Sequence, residues 1–211
     1  EFVFPGATHS RFAHSIGVFH MARRLDRLLR RALKKDHDPK RAAVAQIAAL
    51  LHDLGHGPFS HTFESVQRLR GTSKHHEKWS AEIIRDPTGT LRPLLEDYET
   101  GFCDEVAALL EAEDPTDIYH AVVSSSFDAD RLDYLQRDRL MTGTGAGAID
   151  MDWLLENLRV HEIDIDLPDP PTENEEQQRR VPTFVFDAKA LPAAEQFLLA
   201  RFTLHEQVYF H

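Results

Sequence analysis

The chain has 211 residues, 42% of them hydrophobic, and a formal net charge of −11. That length and apolar share suffice for one sizeable domain with a real core, while the charge argues against binding nucleic acid over the whole surface. The single cysteine, Cys103, excludes an internal disulfide and a multi-cysteine zinc site, and no apolar run approaches the ~18–20 residues of a membrane span.

No secretory signal is visible, and the lone cysteine fits a reducing compartment, so a cytoplasmic protein is expected. The sequence starts mid-pattern at Glu1-Phe2-Val3-Phe4 and ends in the apolar run Val208-Tyr209-Phe210. It reads as a section of a longer chain.

Pro5-Gly6 is a turn signal, and Thr8 and Ser10 are candidate N-caps. From about Arg11 to Lys35, Ile16, Phe19, Leu25, Leu28, Leu29 and Ala32 recur at helical spacing. Arg23, Arg24, Arg27, Arg30, Arg31, Lys34 and Lys35 form the basic face of that helix. They read first as a solvated face whose charge suits the helix C-terminus, with a phosphate or partner contact as the alternative. Asp38-Pro39 opens a second helix, as N-cap and first residue, running to Leu54 and stopped by Gly55 and Gly57. His52 and Asp53 then fall on its last turn.

A third helix is expected from Pro58 to about Leu69, with Phe59, Phe63, Val66 and Leu69 inward. A fourth opens at His75-His76-Glu77 and runs to about Arg85, with Trp79 and Ile83 inward. Short helices follow at Leu91–Tyr98 and Phe102–Ala112, and another from Pro115 to Val123. The Gly-rich loop from Thr142 to Gly147 lacks the lysine and preceding strand of a phosphate loop, so the pattern gives it no nucleotide role. A helix over Asp152–Leu158 leads into a strand over Arg159–Ile165. A Pro-rich charged loop over about 166–180 separates it from a second strand, Val181–Phe186, so the two are expected to form a hairpin. An amphipathic helix from Lys189 to His211 ends the sequence.

Four stretches carry chemistry. Leu50-Leu51-His52-Asp53-Leu54-Gly55 puts an imidazole beside a carboxylate in an apolar run, where burial is costly without a partner. A divalent cation satisfies both, and that donor pair suits Mn, Fe, Zn or Ni. A capped helix end or a core histidine fits the pair as well. His61 and Glu64 lie one turn apart, which permits an imidazole–carboxylate bond that fixes a tautomer. Asp128, Asp130, Arg131 and Asp133 crowd one short window, where helix capping and ion pairing are an equal reading for Asp128 and Asp133. His14 falls on the inward side of the first helix, and Arg11, one turn earlier, offers a bidentate phosphate contact.

Taken together, Phe4–Val18, His52–Glu64, His76-Glu77, Asp128–Asp138 and Arg201–His211 resemble the HD superfamily of metal-dependent phosphohydrolases, and more narrowly its deoxynucleoside triphosphate triphosphohydrolase branch. The resemblance implies an all-α fold, an HD-domain helical bundle with a small β-hairpin near the C-terminal end, and a single HD domain over residues 1–211. It implies His14, His52, Asp53 and Asp130 as metal ligands, with room for an additional Mg ion. It implies His61 as general acid oriented by Glu64, where relatives carry Asp. It further implies His76 with Glu77 beside it as a second catalytic histidine, and His56, Arg11, Arg131 and Tyr134 as contacts to the nucleotide; for Tyr134 a structural role reads equally well. The expected reaction gives deoxynucleoside and inorganic triphosphate, in a homo-oligomer with no membrane contact. The Gln-Leu-Gly stretch that precedes the Phe-Pro-Gly turn in that branch is not in this sequence, so sugar and base preference do not carry over. Two other readings stay open: an HD-type nucleotide phosphatase or phosphodiesterase, and a nucleotide-sensing module without turnover.

Overall fold

The computed structural model describes residues 3–72, 74–114, 117–145, 148–166 and 178–210. Among them the fold is helical apart from one antiparallel hairpin. No described helix is long and apolar enough to cross a membrane.

Helix α1, Arg11–Leu33, is capped by Ser10, whose Oγ accepts the Ala13 N–H at 3.2 Å. It buries Val18, Met21, Ala22, Leu25 and Leu29. Each such leucine contributes about 1.5–3 kcal/mol relative to an exposed one. Helix α2, Pro39–Leu51, is capped by Asp38 and buries Ala42, Ala45, Ala48 and Ala49. Those small side chains let α2 lie close between α1 and α6, Phe102–Glu111.

The second helix ends earlier than its pattern suggests. Residues His52–Gly55 form a 3-10 turn, not a last α-helical turn. Ser80 of α4, His76–Arg85, tightens it: its Oγ donates to the His52 carbonyl at 2.7 Å and accepts the Gly55 N–H at 2.8 Å. A Cβ on Gly55 would collide with the His76 carbonyl, so only glycine admits α4 this closely.

Helix α3, His61–Leu69, starts three residues after Pro58. Phe59 and Ser60, at φ 63° and 51°, break the chain direction just before it. Phe59 and Leu69, expected inward, are 88% and 89% exposed, and Val66 is exposed too. No residue of α3 is fully buried. On α4 the buried residues are Ser80, Ala81 and Ile84, with Ile83 exposed.

Helix α5, Leu91–Tyr98, leads to α6. The helix expected over 115–123 reduces to a buried 3-10 turn, His120–Val122, within the described residues; Pro115 lies outside them. Helix α7, Ala129–Thr142, packs against α1, and α8 spans Met151–Glu156. Strands β1, Leu158–Asp166, and β2, Gln178–Phe186, pair antiparallel with Leu158 opposite Phe186. Most of the expected charged loop lies outside the described residues. Phe127 packs edge-on against Phe186 of the hairpin and at a tilt against Phe197 of α9, Leu191–Leu204. The last expected helix is therefore in three parts: a 3-10 turn over Ala188–Ala190, α9, and a widened π turn over His205–Tyr209.

Candidate metal centre and active-site cleft

Three elements meet at one end of α1. His14 sits on its first turns, His52 and Asp53 on the 3-10 turn after α2, and Asp130 on the first turn of α7. Asp128 caps α7 through the Arg131 N–H at 2.8 Å, which fixes the helix start and so the direction of Asp130.

Each imidazole is held from behind. His52 Nδ1 donates to the Ala49 carbonyl at 2.9 Å, and His14 Nδ1 donates to Asp133 Oδ2 at 2.8 Å. Both bonds leave Nε2 as the free lone pair. His14 Nε2 is 3.0 Å from Asp130 Oδ1 and 4.0 Å from Asp53 Oδ2, and His52 Nε2 is 3.1 Å from Asp53 Oδ1. His52 Nε2 is buried with no hydrogen bond of adequate geometry. Donor atoms of His14, His52 and Asp53 lie within 4.8 Å of one another. Asp133 reaches His14 because Gly17 faces it: a Cβ there would collide with the Asp133 carboxylate and Arg137.

The electrostatics asks for a cation. Burial opposes charge on His14, but hydrogen bonds to Asp130 and Asp133 outweigh it and raise the pKa to about 9. Burial likewise opposes charge on His52, and Asp130 and Asp53 raise it to about 10. Burial pushes Asp53 and Asp130 up, yet the adjacent histidines hold both carboxyls below the usual range. Two imidazoles and two carboxylates around one point fit a divalent transition metal, which satisfies the orphaned Nε2 and both carboxylates together.

The sequence matches the HD domain family over residues 11–138, a span that includes all four of these donors. The chain belongs to the HD domain family. Over 209 residues it is 35% identical to the uncharacterized protein YwfO of Bacillus subtilis, covering 99% of this chain and 42% of that one. It is 32% identical to a Dictyostelium discoideum protein named as a homolog of the deoxynucleoside triphosphate triphosphohydrolase SAMHD1, covering 100% of this chain and 38% of the relative. A crystal structure of a phosphohydrolase from Bacteroides thetaiotaomicron superposes with a TM-score of 0.70 at 30% identity, over 99% of this chain and 45% of that one. This chain thus spans less than half the length of each of these relatives.

Beside its donor set this HD domain has a cleft of about 800 Å³ reaching from Arg11 and Ser60 to His205 and Tyr209. Arg11 Nη1 donates to Asp53 Oδ2 at 2.6 Å, and Nη2 donates to Ser60 Oγ. His56 stacks on His76 with centroids 3.9 Å apart, and its Nε2 is 3.3 Å from Asp53 Oδ1. Glu64 is shared. It accepts from His76 Nδ1 at 2.8 Å and from the His76 N–H at 3.1 Å, but from His61 only at 3.4 Å. The expected orientation of His61 by Glu64 is therefore the weaker of its two bonds. Glu77 lies 3.4 Å from His76 Nε2. Burial lowers the pKa of His76, with Glu77 opposing it.

Arg131 and Tyr134 line the cleft. The Arg131 guanidinium, however, turns back to Asp128 and to the Ser125 carbonyl. Burial raises Asp128 to about 6 despite that arginine. Sequence reasoning missed the far wall. Asp138 accepts from the Tyr209 hydroxyl at 2.6 Å and pairs with His9 Nε2 at 2.9 Å. Asp130, Tyr134 and Asp138 follow a four-residue spacing on α7, so that stripe was the available signal. His9 and Tyr209 come from opposite ends of the sequence; both fall in stretches that carry the resemblance, but no local spacing points to either.

Proposed function

We propose that this HD domain, residues 1–211, hydrolyses deoxynucleoside triphosphates to deoxynucleoside and inorganic triphosphate, with a divalent metal held by His14, His52, Asp53 and Asp130. The observation that carries the reading is the pair of back-bonded histidines, each offering Nε2 to the same point beside two carboxylates and an arginine-lined cleft. When bound, the metal supplies Lewis acidity toward a phosphoryl oxygen and acidifies a water for attack.

The chain's own residues do the rest. Arg11 exchanges its bond to Asp53 for a bidentate bond to phosphate oxygens, since its guanidinium already borders the donor set. His56 and Arg131 add donors to the phosphates, and Tyr134 walls the nucleoside end. His61 Nε2–H gives its proton to the 5′ oxygen as the bond from that oxygen to the α-phosphorus breaks. Glu64 holds the tautomers of His61 and His76, and Glu77 favours a charged His76. The relative named as a SAMHD1 homolog supports this substrate class. On the same reading the protein works in the cytoplasm as a homo-oligomer.

A second reading rests on His56, His61, Glu64 and His76, whose donor atoms also lie within 4.8 Å of one another. If that group takes a second cation, the cleft becomes a two-metal phosphatase or phosphodiesterase.

Chromatographic product analysis with Mn²⁺ and each deoxynucleoside triphosphate, with Asp53→Ala as control, tests the first reading. Deoxynucleoside and intact triphosphate are expected, and neither from the control. Release of single phosphates by a protein holding two metals selects the second reading. No turnover by metal-loaded protein leaves a sensing module.

A further inference from the structure

The residue before α3 has a capping side chain that does not cap. Serine is among the strongest N-cap residues, because from an extended backbone its hydroxyl accepts a free N–H of the first helical turn. Ser10 does this for α1 at φ −95°. Ser60 holds the same place before α3, yet its φ is 51° and its hydroxyl reaches no N–H of that turn. Its Oγ instead accepts from Arg11 Nη2, while Nη1 of the same guanidinium donates to Asp53. Phe59, at φ 63°, extends the left-handed backbone over two consecutive residues. That conformation is unfavourable for any side chain with a Cβ, and most of all for a bulky one. It persists only where the surroundings hold it.

Little holds it here. The Phe59 side chain is almost fully exposed, so it anchors nothing. The Ser60 N–H donates to the Gly57 carbonyl at 3.0 Å and the Thr62 N–H to the Phe59 carbonyl at 3.1 Å, both local to the bend. Among the described residues, the side-chain bond that ties this bend to another element is the one from Arg11. Farther along, α3 is seated by Phe63, whose ring lies where a Cβ on Gly57 would be, and by Glu64 on His76. The direction of the first turn, which carries His61, is therefore set by Ser60.

We propose that Ser60 is a positioning residue, which seats His61 when Arg11 takes up phosphate oxygens. On the proposed function, on which this rests, Arg11 gives up Asp53 for a bidentate phosphate bond. An end-on bidentate bond engages Nη1 and Nη2, the two atoms now on Asp53 and Ser60. The Ser60 hydroxyl then loses its donor. Ser60 turns to the extended region, the left-handed pair relaxes, and Oγ accepts the Phe63 N–H as an ordinary N-cap. The same turn redirects His61, the next residue. No covalent bond changes; one hydroxyl exchanges a guanidinium for a backbone N–H. His61 thus reaches its working position only after phosphate lies at Arg11.

Hydrogen exchange in the first turn of α3, with and without inorganic tripolyphosphate and equimolar Mn²⁺, tests the exchange of partners. Wild type, Ser60→Ala and Ser60→Thr are compared, and calorimetric titration of the same salt checks that each binds it. Exchange in wild type should slow about five-fold on binding, the worth of a serine cap. Ser60→Ala should bind without slowing, and Ser60→Thr, which also caps, should slow again. Where deoxynucleoside triphosphate is turned over, Ser60→Ala should lower kcat with KM little changed, and Ser60→Thr should recover it. A merely structural serine would give neither a ligand-dependent difference nor that split. Equal slowing in Ser60→Ala, no slowing in wild type that binds tripolyphosphate, or no binding at all overturns the role of Ser60. The ligand is not turned over, so the two readings fail separately. Slowing that needs Ser60 in a protein that releases no deoxynucleoside keeps the positioning and removes the hydrolysis; triphosphate release without such slowing does the reverse.

Discussion

On one side of the cleft, His14 and His52 each carry a second bond behind the ring, and both ride on elements packed into the core. On the other side, His61 is 77% exposed on α3, a helix with no fully buried residue. Beyond the turns that adjoin it in sequence, the hydrogen bonds of α3 to the rest of the protein, among the described residues, are those Glu64 accepts from His76. The first side has the preorganisation that a metal centre needs, because donors must converge before the ion arrives. The second has the looseness of a group that meets its target only when substrate is bound, since hydrogen bonds of such groups tighten late. The two halves should therefore fail differently.

After the loss of product expected of Asp53→Ala, the largest expected effect comes from His61→Ala. If His61 is the proton donor, kcat falls by about 10²–10⁴-fold, while metal content by elemental analysis stays at the wild-type level. Joint loss of metal and activity would break the division, since it would make His61 a ligand. Asp133→Asn tests the other half. Its buried carboxylate touches no substrate-facing atom but holds His14 Nδ1 and Arg137. Metal affinity is expected to drop about 10–100-fold, and activity to return when metal is supplied in excess. Unchanged affinity would mean that His14 needs no second bond.

The same division explains what could be read from the sequence. α1, α5 and α6 begin and end within about two residues of their patterns, because apolar spacing and caps are local. The hairpin was legible from alternation on its first strand, with Val181–Phe186 as the candidate second strand. The end of α2 was not, because Ser80 and the close approach of α4 at Gly55 make it, and both are tertiary. Phe59 and Leu69 misled for a related reason: an amphipathic row reads as inward whether or not anything covers it. In the site, His52-Asp53 could be flagged from residues alone, while His14 and Asp130 needed the resemblance. Asp138, His9 and Tyr209 form one wall only once α7 and both ends of the chain are in place.

The smallest effect is the most direct test of how firmly α3 is held. Burial raises the Glu64 pKa, but the bonds from His76 and His61 lower it further, so the folded value lies below the ordinary glutamate range. For a carboxyl lowered on folding, the contribution is present above the unfolded value and is lost as pH falls through the folded one. Hydrogen exchange in α3, corrected for intrinsic rate, should be steady above the ordinary glutamate value of about 4.3 and accelerate below it. Glu64→Gln removes the charge-assisted part of the bond. It should exchange about five-fold faster than wild type at neutral pH, the ratio implied by ~1 kcal/mol of lost bonding, and show no acceleration in acid. Global melting should not move, because α3 adds little to the core. Equal exchange in both proteins at every pH would mean that something other than Glu64 seats α3, and the contrast between the two sides of the cleft would then lie in exposure alone.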